Sequence, residues 1–287
     1  MKIGVFDSGI GGVTVLKELR TRFAEDDFFY FGDNANLPYG TKSPEQIKAL
    51  AVAAAKYIHR ENIDALVIAC NTASCIAIQE IRELMDTIPV FSVVDAGVES
   101  IVKAIHESQA EVESDPNPKS KLNPPILILG TRATVRSRVY SDLIKKFVSP
   151  DAHVIEQECP LLVPIIEEAW IEHPVLNLTV KEYLKTYAKM SPGVALLACT
   201  HYPWIKGTFE RHLPGWKVFD SARAMGEALS QHFSHKNRFT KASKTRPAQL
   251  QWQFSDPGSV PSFIFSEDLG DKLTTEKGPT TLRIKNT

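Results

Sequence analysis

Residues 65–74 read ALVIACNTAS, and residues 194–203 read VALLACTHYP. In each stretch an apolar run ends in Ala-Cys, and threonine follows within two residues. A short, continuously apolar run closed by small polar residues predicts a strand buried on both faces, the kind found in parallel sheets covered by helices. The two stretches are internal echoes of one another, and 287 residues are enough for two domains that each bury a core.

Outward from the first stretch, KIGVF predicts an opening strand, GGVTVLKELRTRF its helix and FFYFGD a second strand. SPEQIKALAVAAAKYIHREN predicts a helix with Ser43 at the N-cap and Pro44 at the first helical position. IAIQEIRELMD predicts a further helix and VFSVV a further strand. A second series follows: the strand ILILG, a helix from Arg138 to Phe147, the strand HVIEQE, a helical segment after Pro164, a long helix from Val175 to Met190, and VALLAC. Strands alternating with helical segments place the chain in the α/β class. Residues 111–125, EVESDPNPKSKLNPP, carry four prolines and predict a surface loop or linker. From Gln231 the chain turns polar and basic, and beyond Gly270 it has no periodic apolar face, so the expectation there is a frayed tail.

Lysine and arginine number 33 against 34 acidic residues, a net charge of −1. That balance gives no electrostatic reason to expect a nucleic acid or an anionic membrane as partner, and small, near-neutral partners fit better. The start, MKIGVFDSGI, has too short an apolar stretch for a signal peptide, and no run approaches a membrane span. The four cysteines, Cys70, Cys75, Cys159 and Cys199, show neither CxxC nor zinc-ligand spacing, so reduced thiols in an intracellular protein are expected, with no metal.

Cys70 and Cys199 sit where open α/β sheets place their ligands, just beyond the carboxyl ends of strands. A buried free cysteine is often only a small hydrophobe, and Cys75 and Cys159, which end no clean apolar run, stay with that reading. Two thiols in matching contexts point further. A thiol is tuned by a helix N-terminus or a neighbouring charge into an acid or a base. Two of them facing each other across a substrate would take a proton from one side of a carbon and return one to the other, inverting a stereocentre without metal or organic cofactor. Asn71, Thr72 and Thr200 offer donors at the start of the following turns, where carboxylates bind readily. The opening FDSGIGG adds Asp7 and Ser8 at a strand end and glycines for a tight turn, although it lacks both the Walker lysine and the GxGxxG spacing, and Asp7 reads equally as an N-cap. Locally, His201 is either a thiol partner or a satisfied turn histidine, and Glu167 either a site group or a helix-face carboxylate.

GVFDSGIGG, FGDNANLPYG, ACNTAS and ACTHYP, in that order, resemble the motifs of glutamate racemases, cofactor-independent members of the aspartate/glutamate racemase group, with GTRATVRS and CPLLVPIIE as intervening support. The likeness covers residues 1 to about 230. It implies two similar α/β domains with parallel-type sheets flanked by helices and the active site in the interdomain cleft. The implied division is 1–97 plus 209–270, 98–208, and a tail at 271–287, with crossings near Val98 and Thr208. It implies that Cys199 takes the Cα proton from L-glutamate and that Cys70 acts on D-glutamate. Asp7 beside Cys70, and Glu167 and His201 beside Cys199, match the assisting residues. Ser8, Tyr39, Gly40, Asn71, Thr72 and Thr200 match substrate-binding positions, together with Asp7 and His201. D-glutamate supply for peptidoglycan, a cytoplasmic location, a homodimer and no cofactor complete the expectation.

Three alternatives remain at this level. An aspartate racemase differs in substrate by one methylene, which a pocket discriminates by only about 1–3 kcal/mol. A non-catalytic binding protein, like gyrase-inhibiting relatives, would draw on the basic segment HKNRFTKASKTR at 235–246. A thiol hydrolase built on Cys199 and His201 leaves the matching Cys70 without a purpose.

Overall fold

The computed structural model describes residues 1–113, 124–235 and 248–260. The first series runs β1 (Lys2–Asp7), α1 (Val13–Arg22), β2 (Asp27–Gly32), α2 (Pro44–His59), β3 (Ala65–Ile68), α3 (Asn71–Met85), β4 (Val90–Ser92) and α4 (Val93–Glu113). The second runs β5 (Ile126–Gly130), α5 (Arg132–Arg136), α6 (Val139–Phe147), β6 (Val154–Glu158), α7 (Leu162–Glu167), α8 (Pro174–Leu184), β7 (Val194–Ala198), α9 (Lys206–His212) and β8 (Lys217–Asp220). The chain then returns through α10 (Ser221–His235) and β9 (Leu250–Phe254).

The strands form two parallel sheets, ordered β4-β3-β1-β2-β9 and β8-β7-β5-β6. Laid side by side the orders are the same, with β9 added to the first. The echo between residues 65–74 and 194–203 is therefore topological: β3 and β7 are equivalent strands. Every residue of β3, β5 and β7 is buried, as both-face coverage by helices requires. On the first sheet, α2 and α3 close one face over Leu50, Ile58, Ile68 and Ile81. The other face is closed by α1 and α10 through Leu16, Leu19, Leu229 and Phe233. The second sheet packs Ile101, Ile105 and Ile144 of α4 and α6 on one side, and Ile166, Leu176 and Phe209 of α7, α8 and α9 on the other.

Helix α4 is the outgoing crossing, since Val93 and Ala96 belong to the first core while Val94, Val98 and Ile101 belong to the second. The ends of α2 follow the sequence: Ser43 and Gln46 form a reciprocal capping box and Pro44 leads the helix. Elsewhere the structure corrects the sequence expectations. The return near Thr208 is too early, because Lys217–Asp220 pairs with β7 in the second sheet and the chain crosses back only at Ser221. The strand predicted over VFSVV stops at Ser92, whose hydroxyl accepts the Val94 N–H at 3.1 Å and starts α4 instead. The long helix predicted to Met190 ends at Leu184 and gives way to a 3-10 turn at Tyr187–Lys189. Glu111–Glu113 continue α4, whereas the remainder of the proline-rich stretch to residue 123, the basic segment 236–247 and the predicted tail 271–287 lie outside the described residues. Within the region read as irregular, LQWQF forms edge strand β9, parallel to β2, with Trp252 and Phe254 buried against Tyr30.

Candidate active site

In both sheets the strand order reverses at the centre. The chain runs from β1 out to β2 and back across to β3, and from β5 out to β6 and back to β7. Crossovers diverge at these reversals and leave a crevice beyond the carboxyl ends of the strands. Asp7 ends β1, and Cys70 follows β3 after one alanine; Thr131 follows β5, and Cys199 follows β7. One cleft between the two lobes receives all four strand ends. Ser8, Tyr39, Gly40, Cys70, Asn71, Thr72, Cys199, Thr200 and His201 line it, so nine of the sequence-predicted residues meet there. Asp7 and Glu167 stand directly behind them. The cavity holds 30 Å³, room for about one water molecule.

Cys70 is the N-cap of α3: its Sγ accepts the Ala73 N–H at 3.4 Å and donates to Ser8 Oγ at 3.2 Å. Burial, reinforced by the nearby Asp7 charge, pushes this thiol from 9.0 up to about 12. Asp7 is fully buried and accepts the Gly9 N–H at 3.1 Å and the Thr200 hydroxyl at 3.3 Å. Burial raises its pKa above the ordinary 3.8, while the His201 charge and the Gly12 and Gly9 amides oppose the rise.

The Cys199 side is built differently. No α-helix begins there; a 3-10 turn at Tyr202–Ile205 leads into α9. In place of helix amides the thiol has His201, whose Nδ1 lies 3.9 Å from Cys199 Sγ and whose Nε2 lies 2.8 Å from Glu167 Oε1 at the end of α7. Burial disfavours the charged imidazole, but the hydrogen bonds to Cys199 and Glu167, with the charges of both groups, outweigh it and raise His201 from 6.5 to about 10. The two hydrogen bonds favour the protonated form of the ring beside the sulfur.

The lobes are fastened across the cleft by small groups. Thr200 reaches Asp7, and Thr14 Oγ1 donates to the Thr200 carbonyl at 2.9 Å. Thr72 Oγ1 sits 3.0 Å from Thr131 Oγ1 and 3.1 Å from Thr134 Oγ1. Two glycines permit this approach. A Cβ on Gly11 would lie 2.4 Å from both Thr200 Oγ1 and His201 Nδ1, and one on Gly40 would lie 2.6 Å from Thr131 Cβ.

Sequence reasoning missed Thr131, Leu37, Pro38 and Val163, which also line the cleft. A signal existed for Thr131: it opens the turn after β5, the counterpart of Asp7 and Ser8 after β1, and lies within GTRATVRS. Leu37 and Pro38, joined by a cis peptide bond, lie on the loop that carries Tyr39 over the cleft. Cys75 and Cys159 lie outside it, and burial pushes both thiols up. A larger open depression of 310 Å³ between α4, β8 and α10 shares no residue with the cleft. Among the described residues no group of three or more His, Cys, Asp or Glu side chains converges as a metal ion would need, and no helix is long and apolar enough to cross a membrane.

Residues 3–229 match the family model of Asp/Glu/Hydantoin racemases. A glutamate racemase of Sulfurihydrogenibium sp. (strain YO3AOP1) is 43% identical over 230 residues, 80% of this chain and 82% of the relative. One from Aquifex aeolicus is 34% identical over 280 residues, covering 96% and 98% of the two chains. Among solved structures, glutamate racemase from Francisella tularensis in complex with D-glutamate superposes with a TM-score of 0.80 at 30% identity, covering 95% of this chain and 94% of that one. With motifs, twin sheets and relatives in agreement, the chain belongs to the Asp/Glu/hydantoin racemase family and is an amino-acid racemase of the glutamate racemase type.

Proposed function

We propose that this protein interconverts L- and D-glutamate by cofactor-independent two-base proton transfer between Cys70 and Cys199. The observation that carries the proposal is the equivalence of the two thiols: each lies just beyond the corresponding strand, β3 or β7, of the twin sheets, and both line one cleft. Glutamate as substrate rests on the relatives, which are named glutamate racemases.

The electrostatics suit one starting state. His201 Nδ1 stands beside Cys199 Sγ as a positively biased proton partner, while burial and Asp7 favour the thiol form of Cys70. In the L-to-D direction Cys199 takes the proton as the Cα–H bond breaks, and the Cys70 S–H bond breaks to deliver a proton to the opposite face. The reverse reaction starts from the opposite pair of protonation states. Amides at the start of α3 and the hydroxyls of Ser8, Thr72 and Thr200 hold the carboxylates and the charge that develops at Cα. A 30 Å³ cavity does not admit glutamate, so the lobes part for entry and close again, excluding water around the thiols. Supply of D-glutamate for peptidoglycan, a cytoplasmic location and a homodimer belong to the same proposal.

The test is incubation of the purified protein in D₂O with L-glutamate, and separately with L-aspartate, without added cofactor, followed by circular dichroism and NMR of the Cα proton. Loss of optical activity with Cα deuteration on glutamate supports the proposal. Turnover of aspartate alone, or of neither, refutes it.

A further inference from the structure

Asn71 follows Cys70, lines the cleft and is 2% exposed, so its side-chain amide needs partners on the protein side. It has two. The Tyr140 hydroxyl donates to Asn71 Oδ1 at 2.6 Å, and Asn71 Nδ2 donates to Ser221 Oγ at 3.2 Å. Tyr140 is 1% exposed and Ser221 fully buried, so water offers neither group a substitute. The three residues come from three parts of the molecule: Asn71 from the first turn of α3, Tyr140 from α6 in the second lobe, and Ser221 from the point where the chain crosses back.

The Tyr140 ring also packs on the outgoing crossing. A Cβ added at Gly97 of α4 would lie 3.5 Å from both Tyr140 Cε1 and Tyr140 Oη. One phenol thus touches the outgoing crossing directly and reaches the return crossing through Asn71.

We infer that Tyr140 is a positioning residue for racemisation: packed between the two crossing segments, its hydroxyl holds the Asn71 amide in the orientation that receives a substrate carboxylate. The inference rests on the glutamate reading above. Orientation of the amide follows from donor arithmetic. Only with Oδ1 toward Tyr140 does the buried phenol have an acceptor for its proton, and the Asn71 NH₂ keeps a second N–H beyond the one given to Ser221.

Tyr140→Phe keeps the ring and removes this hold. A hydrogen bond to a charged group is worth about ten-fold or more in affinity, so KM for L- and D-glutamate is expected to rise about ten-fold by this conversion, with kcat falling less than KM rises. Because the enantiomers are equal in free energy, kcat/KM must fall equally in both directions. Ser221→Ala frees the other end of the amide and is expected to raise KM in the same sense, and the double variant to fall short of the product of the single effects. A general loss of stability would lower the active fraction and kcat while leaving KM in place. KM within two-fold of wild type for Tyr140→Phe refutes the inference; if that variant does not fold, an unchanged KM for Ser221→Ala refutes it. Wild-type protein that fails to racemise glutamate instead refutes the functional reading on which the inference stands.

Discussion

Replacing Glu167 by glutamine removes a charge and keeps the side chain's shape. Glu167 Oε1 lies 2.8 Å from His201 Nε2, with its side chain 25% exposed and the imidazole 5% exposed. A hydrogen bond between two charged partners in such partial shelter contributes about 1.5–3 kcal/mol, and 1.36 kcal/mol corresponds to about one pH unit. The imidazolium, held up to about 10 in the intact site, should then lose its proton about one to two pH units lower. The assay is kcat/KM for L-glutamate from pH 6 to 10, which reports ionisations of the free enzyme. Glu167→Gln should move the alkaline limb down to about pH 8–9, with little loss at pH 7. Stability should follow the same sign. His201 has a raised pKa in the folded state, so its contribution is complete below the unfolded value of 6.5 and is lost as pH rises through about 10. In the variant the loss of Tm should therefore begin at the same pH as in the wild type, be smaller in total and be complete at lower pH. An alkaline limb that stays within a few tenths of a pH unit of wild type would refute the coupling of Glu167 to the Cys199 proton through His201.

Cys70→Ala and Cys199→Ala should each abolish racemisation measured by circular dichroism while retaining a cooperative melt; near wild-type turnover in either variant removes that cysteine from the reaction. Gly11→Ala places a methyl 2.4 Å from Thr200 Oγ1 and His201 Nδ1 and must part the lobes or shift the imidazole. A misplacement of about 1 Å costs on the order of a hundred-fold in rate, so kcat/KM should fall by that order, and an unchanged value would show that the cleft works without this approach. Trp252→Ala at edge strand β9 removes a side chain 5% exposed and packed at a tilt against Tyr30. Urea denaturation should show a loss of about 3–5 kcal/mol, and a change below about 1 kcal/mol would mean that the strand is dispensable to the first sheet.

The α/β class, most strands and both thiols were legible because both-face burial writes itself into local sequence: ALVI and VALLA are apolar throughout, and a Cys directly follows each with its alanine. Asp7 and Ser8 were legible for the same reason, as the polar end of a buried strand. Less was legible where pairing depends on distant chain. KVFD at 217–220 carries no mark of which sheet it joins, and only its register with Val194–Leu197 assigns it to the second. LQWQF alternates as an edge strand should, yet its polar surroundings hid it, and β2, more than two hundred positions earlier in the chain, supplies the ladder that makes it a strand.

The sequence by itself determined the chemistry available, two free thiols at equivalent strand ends with donors after each, because those features lie within a few residues of one another. Tertiary structure alone decided how the two ends differ. Cys70 is capped by a helix and kept protonated beside Asp7, while Cys199 lacks a helix and has His201 with Glu167 instead. Glu167 comes from α7, Asp7 from the other lobe, and Tyr140 reaches Asn71 across 69 positions. Protonation depends on burial and on charges brought within a few ångströms, and those distances exist only once the two sheets have closed on one cleft.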